Sequence, residues 1–363
     1  MSSMWGNKIK LSIFGESHAD AIGAVLDGIP AGSRIDLEAL AAFMKRRSSQ
    51  DPTISTPRME EDRLEILCGV QDGRAEGTPI SILIRNENIR SKDYSDVEHI
   101  CRPGHADYSG AVHYRGFNDY RGGGHFSGRL TAPLVAAGGI CKQVLESRGI
   151  SFYTHIQQIH SISEPSFLST CLPKEVLAER TNRQFCILDE DIGEKMKETI
   201  RSARKAGNSV GGVVECMAVG LPAGIGSPMF NGLENQISSI VFGIPAVKGI
   251  EFGNGFEAAS LFGSENNDAF FYNSEGVVQT RTNRHGGILG GITTGMPLIF
   301  RVAFKPTPTI ALEQETVNLT AGQNCTIRGK GRHDPCIVPR AAVCVEAAAA
   351  IAVLDSYWNE SKE

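Results

Sequence analysis

The pentapeptide Gly28-Ile29-Pro30-Ala31-Gly32 returns as Gly220-Leu221-Pro222-Ala223-Gly224, and each copy joins a predicted strand to a predicted helix. Before the first copy, Lys8–Phe14 alternates and ends at a glycine, and Ile22–Leu26 forms a second short strand that Asp27-Gly28 turns. After it, Asp36 caps a helix reaching about Arg47, with Leu37, Leu40, Ala41 and Met44 on one face. Around the second copy, Val210–Val219 reads as a strand and Leu233–Val241 as a helix. Two readings of the echo stay open. It marks two related halves, roughly 1–150 and 200–363, or it is a turn that many chains use. In both cases strand pairs and helices alternate with no clean linker. The expectation is an α+β fold in a single intertwined domain, 1–363.

Working outward, Leu64–Val70 and Ile80–Ile84 read as paired strands and Ser151–His160 as another. Helices are predicted over Arg129–Ser147, with Pro133 in the first turn, over Asp191–Ala206 at the surface, and over Val338–Trp358 at the end. Ile292–Phe304 is strand-like. Between Arg85 and Gly128 runs a polar stretch too long for an ordinary connection. It carries Tyr94, Tyr108, Tyr114, Phe117 and Tyr120, which argues against a disordered linker and for an ordered functional excursion.

Composition bounds the function. The 363 residues are 41% hydrophobic and 21% charged, with a net charge of -5, so global charge attracts neither nucleic acid nor an anionic membrane. Any anion site must be a local cluster of Arg and Lys. The apolar run Ala341–Leu354 is interrupted by Glu346 and falls short of the roughly 18 residues of a membrane span; it reads as a buried helix. Nine cysteines without C-x-x-C or zinc-type spacing, and a start without an apolar segment, predict reduced thiols and a cytoplasmic protein.

Chemistry concentrates in loops that mix Gly, Arg, His and Asp. They are Gly15-Glu16-Ser17-His18, Arg102-Pro103-Gly104-His105-Ala106-Asp107, Arg121-Gly122-Gly123-Gly124-His125, and Gly331-Arg332-His333-Asp334-Pro335-Cys336. Glycine lets backbone N–H groups approach a ligand, arginine grips phosphate or carboxylate, and histidine moves protons near neutrality. Each has a plainer alternative. A loop histidine bonds its neighbour, triple glycine is a flexible turn, and Asp-Pro is a turn. For Lys45-Arg46-Arg47 the alternative is favourable placement at a helix C-terminus; the functional reading turns one arginine inward. Arg129, in the first turn of a predicted helix, is misplaced for the dipole and points to an anionic partner. Lys305-Pro306-Thr307-Pro308-Thr309 is rigid and is either a plain loop or a rail for a flat ligand.

In order and spacing these segments, with Ala246-Val247-Lys248-Gly249 and Gly286-Gly287-Ile288-Leu289-Gly290-Gly291, make the chain resemble the chorismate synthase family over essentially its whole length. The resemblance implies a lyase of aromatic amino acid biosynthesis. It would convert 5-enolpyruvylshikimate 3-phosphate to chorismate and phosphate by 1,4-anti elimination, with no net redox change yet dependent on reduced FMN, a flavin of the FMN/FAD class. It implies a β-α-β-α sandwich with an internal pseudo-two-fold repeat, assembled as a homotetramer. It also assigns roles. His18 would protonate the departing phosphate, His105 would support the anionic reduced flavin, and Asp334 would act through flavin N5 on the ring proton. Arg47, Arg102, Arg129 and Arg332 would hold the phosphate and carboxylates. FMN would lie along His125, Phe126, Ser127, Ala246, Gly290, Lys305, Pro306, Thr307, Pro308, Thr309 and Arg332.

The chain departs from the family at identifiable points. Many members have Arg-Ser-Ser-Ala-Arg-Glu-Thr where this chain has His125-Phe126-Ser127-Gly128-Arg129-Leu130-Thr131, and Ala19 replaces a glycine. Ser48 to Arg58 replaces an arginine-rich loop, with Thr53 at a frequent arginine position, which leaves Arg47 as the candidate NADP contact. The competing class is an NADPH-dependent flavin oxidoreductase, or a bifunctional synthase and flavin reductase. The chain has no G-x-G-x-x-G after a strand to support the former. In the favoured reading NADPH is at most the source of reducing equivalents, and a separate flavin reductase is the candidate partner.

Overall fold

A computed structural model describes residues 3–56, 62–86, 100–170, 172–329 and 334–360. Two antiparallel five-stranded sheets organise it. The first runs, edge to edge, Met4–Trp5, Lys10–Gly15, Ala21–Asp27, Ile80–Arg85, Leu64–Cys68. The second runs Val247–Phe252, Leu298–Phe304, Gly212–Val219, Ser151–Ile159, Ile162–Ser163. Helices are α1 (Leu37–Lys45), α2 (Asp107–His113), α3 (Thr131–Glu146), α4 (Lys174–Thr181), α5 (Glu190–Lys205), α6 (Leu233–Val241), α7 (Gly263–Asn266) and α8 (Val338–Glu360). The mixture is α+β, as the alternation of strand and helix patterns predicts.

The two pentapeptide echoes occupy equivalent places. Each follows the second strand of an antiparallel pair, Ala21–Asp27 or Gly212–Val219, and precedes a helix, α1 or α6. The next strand, Leu64–Cys68 or Val247–Phe252, goes to the sheet edge. The one after it, Ile80–Arg85 or Leu298–Phe304, inserts between that edge strand and the antiparallel pair. A long buried helix, α3 or α8, follows in each case.

α3 packs on the first sheet, α8 on the second, and the two helices pack on each other. Both are apolar on nearly every side, the pattern of a helix with no solvent face. Small residues set their separation. A Cβ on Gly138 would sit 2.4 Å from the Cβ of Ala347 in α8, while one on Gly139, facing α1 instead, would sit 2.5 Å from Leu40 Cδ1. Asp355, buried near the end of α8, accepts backbone N–H bonds from Asn7, Lys8 and Ile9 at 3.0, 2.6 and 2.7 Å. That bond set ties the last helix to the entry of the first sheet.

Several local expectations shift. α1 is capped by Asp36, whose carboxylate accepts from the N–H groups of Glu38 and Ala39. Its inward face is Leu40, Phe43 and Met44, while Leu37 and Ala41 are exposed, because the helix packs through its C-terminal half. Arg46 is no surface cation completing a helix dipole. It is buried and donates to Glu346 of α8 at 2.9 Å, and Lys142 of α3 stands 3.6 Å from the same carboxylate group. Ile292–Phe304 divides into Ile292–Thr293 and Leu298–Phe304, since Gly295 at φ 85° and Pro297 break the run. α3 begins at Thr131, after a 3₁₀ turn over Gly128–Leu130.

One buried charge cluster pins the insertion between Ile159 and Gly212. His155 and Glu215, cross-strand partners, are both buried; His155 Nε2 lies 2.9 Å from Glu215 Oε2, and Nδ1 meets Glu164. Glu164 also accepts from the N–H groups of Leu188 and Asp189, and Glu215 from that of Phe167. Burial alone would lower the His155 pKa, but the two carboxylates win and raise it. A raised folded pKa means the histidine contributes fully below its unfolded value of about 6.5 and loses that contribution as pH rises through the folded value. We therefore expect Tm to fall on the alkaline side. Glu215→Gln should destabilise by about 3–5 kcal/mol by leaving buried charge unpaired and should flatten the alkaline fall; denaturant titrations across pH check both.

Candidate active site

A cavity of about 570 Å³ opens where the two sheet-and-helix units meet. The N-terminal unit lines it with Arg47 at the end of α1, the loop from Arg102 to Ala106, and the stretch from His125 to Arg129. The C-terminal unit supplies Phe242 to Lys248 after α6, Lys305, Thr307, Pro308 and Thr309 after Leu298–Phe304, and Asp334, Arg340 and Cys344 at α8.

The triple glycine is shaped by what touches it. Gly122, Gly123 and Gly124 have φ of 59°, 87° and 53°. A Cβ on Gly122 would lie 2.7 Å from Ser17 Oγ and 2.8 Å from His18 Nε2; one on Gly123 would lie 3.1 Å from His105 Nε2. Consecutive glycines thus let two imidazoles from distant segments close on the same turn. His18 itself is buried behind Ser17 and Gly122, which line the cavity. His125 places Nδ1 2.8 Å from the Gly15 carbonyl and Nε2 2.6 Å from Ser3 Oγ. Its ring therefore braces the end of the strand that leads to His18. The turn before α3 is capped by Ser127, whose Oγ accepts from Arg129 N at 3.2 Å.

The cations are numerous and mostly compensated. Arg47 and Arg129 are buried and converge on one carboxylate, Asp62, with Arg47 Nε at 2.9 Å. Burial would raise the Asp62 carboxyl, but the two guanidinium groups hold it below the usual range. Arg102 grips Asp107 through Nε at 2.8 Å and Nη2 at 2.7 Å, and His105 Nδ1 lies 2.6 Å from the same carboxylate group. Burial opposes ionisation of Asp107 too, and these hydrogen bonds overcome it, holding its carboxyl far below the ordinary value. Asp334 accepts from Ser55 Oγ at 3.0 Å, Thr56 N at 2.7 Å and Arg340 Nη1 at 2.6 Å. Lys305 donates to the Gly104 carbonyl. Partial burial, and then the neighbouring Lys248, pull the Lys305 ammonium below its normal pKa, a repulsion that a bound anion relieves.

The expected residues gather unevenly. Arg47, Arg102, His105, His125, Phe126, Ser127, Arg129, Ala246, Lys305, Thr307, Pro308, Thr309 and Asp334 line this cavity. His18 stands in its wall. Pro306 is part of the lining segment without facing the space, and Gly290 is exposed between the strands Ile288–Leu289 and Ile292–Thr293, outside it. Arg332 lies outside the described residues, as do His333 and Arg58. Sequence reasoning missed Asp62, Arg340 and Cys344. A lone arginine in the apolar start of α8 was a usable signal for Arg340; in the charged run up to Arg63 nothing marks which carboxylate turns inward.

The family model described as chorismate synthase matches residues 9–358. The chain belongs to the chorismate synthase family. A chorismate synthase of Lancefieldella parvula is 44% identical over 374 residues, covering 100% of this chain and 98% of the relative. One of Pyrococcus abyssi is 46% identical over 352 residues, covering 97% and 96%. Among solved structures, a crystal structure of chorismate synthase superposes with a TM-score of 0.76 at 29% identity, covering 98% of this chain and 93% of that one. The chorismate synthase assignment places the chain among lyases.

Asp62 is the hub of the arginine pair, so its removal is informative. Asp62→Asn removes the carboxylate that Arg47 and Arg129 share and should cost about 3–5 kcal/mol at neutral pH, the range for breaking a buried ion pair from one side. A depressed folded pKa contributes stability above the unfolded value of about 3.9 and loses it as pH falls through the folded one. The difference between parent and variant, read by denaturant unfolding, should therefore shrink in acid.

Proposed function

We propose that the chain catalyses the 1,4-anti elimination of phosphate from 5-enolpyruvylshikimate 3-phosphate, giving chorismate, with reduced FMN bound. The observation that carries this reading is the convergence of Arg47, Arg102, Arg129, Lys248, Lys305 and Arg340 with His105 and Asp334 on one cavity, with His18 in its wall. A substrate with one phosphate and two carboxylates suits that charge. The cavity volume lies in the range of small-molecule sites, about 300–1,000 Å³.

The residues also suit a flavin. Thr307 Oγ1 is buried in the lining segment with no hydrogen-bond partner in the structure, a polar atom that a bound ligand would satisfy. Reduced FMN would supply electron density to the substrate ring. It would be held by His125, Phe126 and Ser127, by Ala246, whose backbone stands at φ 74°, and by Lys305 to Thr309. Arg332 completes this reading from sequence alone. Arg47 is the proposed point of contact if NADPH acts as reductant; a separate flavin reductase is the other source.

The protein's own groups then divide the work. Arg47, Arg102 and Arg129 orient the anionic substrate through charge-assisted bonds and exclude water. His18 donates a proton to the departing phosphate oxygen. Asp334, fixed by Ser55, Thr56 and Arg340, would act from the flavin side to assist removal of the ring proton. His105 balances negative charge on the cofactor side.

The proposed assembly is a cytoplasmic homotetramer. Phe230, Phe256, Phe262 and Tyr272 are 83%, 86%, 77% and 76% exposed, more aromatic surface than a monomer sustains well, and this supports burial between copies. In such an assembly Gly290 would serve the cavity of a neighbouring copy. No helix of the described residues is long and apolar enough to cross a membrane. The matched topology of the two sheets supports a β-α-β-α sandwich built from a repeated unit, the second counted from Ser151 with an insertion after its first strand.

An anaerobic assay following chorismate absorbance should show turnover only with dithionite-reduced FMN. Equal phosphate release without any flavin would sink the mechanism, and NADPH oxidation with FMN alone would reveal a bifunctional enzyme. His18→Ala should bind substrate while losing about 10²–10⁴ in kcat, the worth of general acid catalysis; normal turnover by this variant would remove His18 from the chemistry.

A further inference from the structure

His105 Nδ1 has two polar neighbours that make opposite demands. Asp107 Oδ1 is 2.6 Å away and Arg102 Nη2 is 3.2 Å away. An ionised carboxylate only accepts, so it requires a proton on Nδ1; a guanidinium only donates, so it requires a lone pair there. The two contacts cannot both be hydrogen bonds of one neutral ring.

The geometry decides between them. The carboxylate contact is shorter and charge-assisted. Arg102 has better acceptors than the imidazole, since its Nη2 bonds Asp107 Oδ1 at 2.7 Å and its Nε bonds Asp107 Oδ2 at 2.8 Å. Asp107 is itself held by the Arg102 backbone N–H at 2.9 Å, so the acceptor is locked in place. We propose that Asp107 is a positioning residue that fixes His105 as the Nδ1–H tautomer against Arg102 as the competing donor, leaving Nε2 as the proton acceptor beside Gly123. This rests on the reading of His105 as a participant in the proposed reaction. It adds that one carboxylate serves both the arginine meant for the substrate and the histidine meant for the cofactor side. When the ring takes a proton at Nε2, Asp107 stabilises the imidazolium.

Removing the charge should reverse the balance. In Asp107→Asn the amide no longer holds Arg102 as strongly, the guanidinium turns its proton to Nδ1, and the ring proton moves to Nε2. Long-range ¹H–¹⁵N correlation spectra of the ligand-free, ring-¹⁵N-histidine-labelled chain read this directly at a pH where the ring is neutral, with His105 assigned from the His105→Gln spectrum. The expected result is Nδ1–H in the parent, Nε2–H in Asp107→Asn, and return to Nδ1–H in Asp107→Glu. Turnover with reduced FMN should fall at least about 10²-fold in Asp107→Asn, the lower range for a misset acid–base group, and recover in part in Asp107→Glu. An unchanged tautomer in Asp107→Asn overturns the proposal. A switched tautomer with full turnover upholds the positioning but removes His105 from the proposed chemistry. If Asp107→Asn fails to fold, Arg102→Met tests the same balance from the other side: deleting the competing donor must leave Nδ1–H in place, and a switch there overturns the proposal.

Discussion

Positive charge confined to a half-buried space is the constraint around which the site is built. Arg47, Arg102, Arg129, Arg340, Lys248 and Lys305 face one cavity, and guanidinium and ammonium groups so close repel strongly where water is scarce. The fold answers with carboxylates at fixed stations. Asp62 sits between Arg47 and Arg129, Asp107 under Arg102, and Asp334 beside Arg340. Asp62 and Asp107 neutralise their arginines from behind the lining, whereas Asp334 itself faces the cavity. Lys305 keeps a lowered pKa, through partial burial first and the neighbouring Lys248 second.

The carboxylates reach their stations through the architecture. Asp62 precedes the edge strand of the first sheet, Asp107 opens α2, and Asp334 precedes α8. In both units the end of the first helix and the start of the long second helix approach the cavity, so Arg47 and Thr131 on one side correspond to Phe242 and Ala341 on the other. Chemistry is unevenly shared all the same. The first unit contributes the imidazoles of His18, His105 and His125 and most of the guanidinium groups; the second contributes backbone, lysines and Asp334.

Elements that owe their form to local pattern were legible in the sequence. Leu233–Val241 follows from apolar periodicity, the last helix from its continuous apolar run, and the first two strands from alternation and the glycines that end them. The loops rich in glycine, arginine and histidine announced the site because such residues have little reason to cluster in a core. Features set by partners distant in sequence were not legible. Arg46 looks like Lys45 until Glu346, 300 residues away, is brought beside it. The inward turn of Asp62 depends on two arginines that arrive from other elements. His125 reads as a substitute for a ligand-binding arginine, whereas its ring is engaged by Ser3 and Gly15. Which turn of a helix is buried is likewise decided by packing, which is why α1 presents Phe43 inward in its last turn and leaves Leu37 in its first turn to solvent.

The hydrogen atom that stands for a side chain at Gly138 has a reach beyond its own neighbourhood. With α3 and α8 touching backbone to methyl, the gap between the two units is set by the smallest groups available, and the cavity at their seam inherits that spacing. A bulkier residue there would act as a shim. It would spread a cleft whose walls it never meets, and the reacting groups would fall out of reach of one another although every one of them remained unaltered.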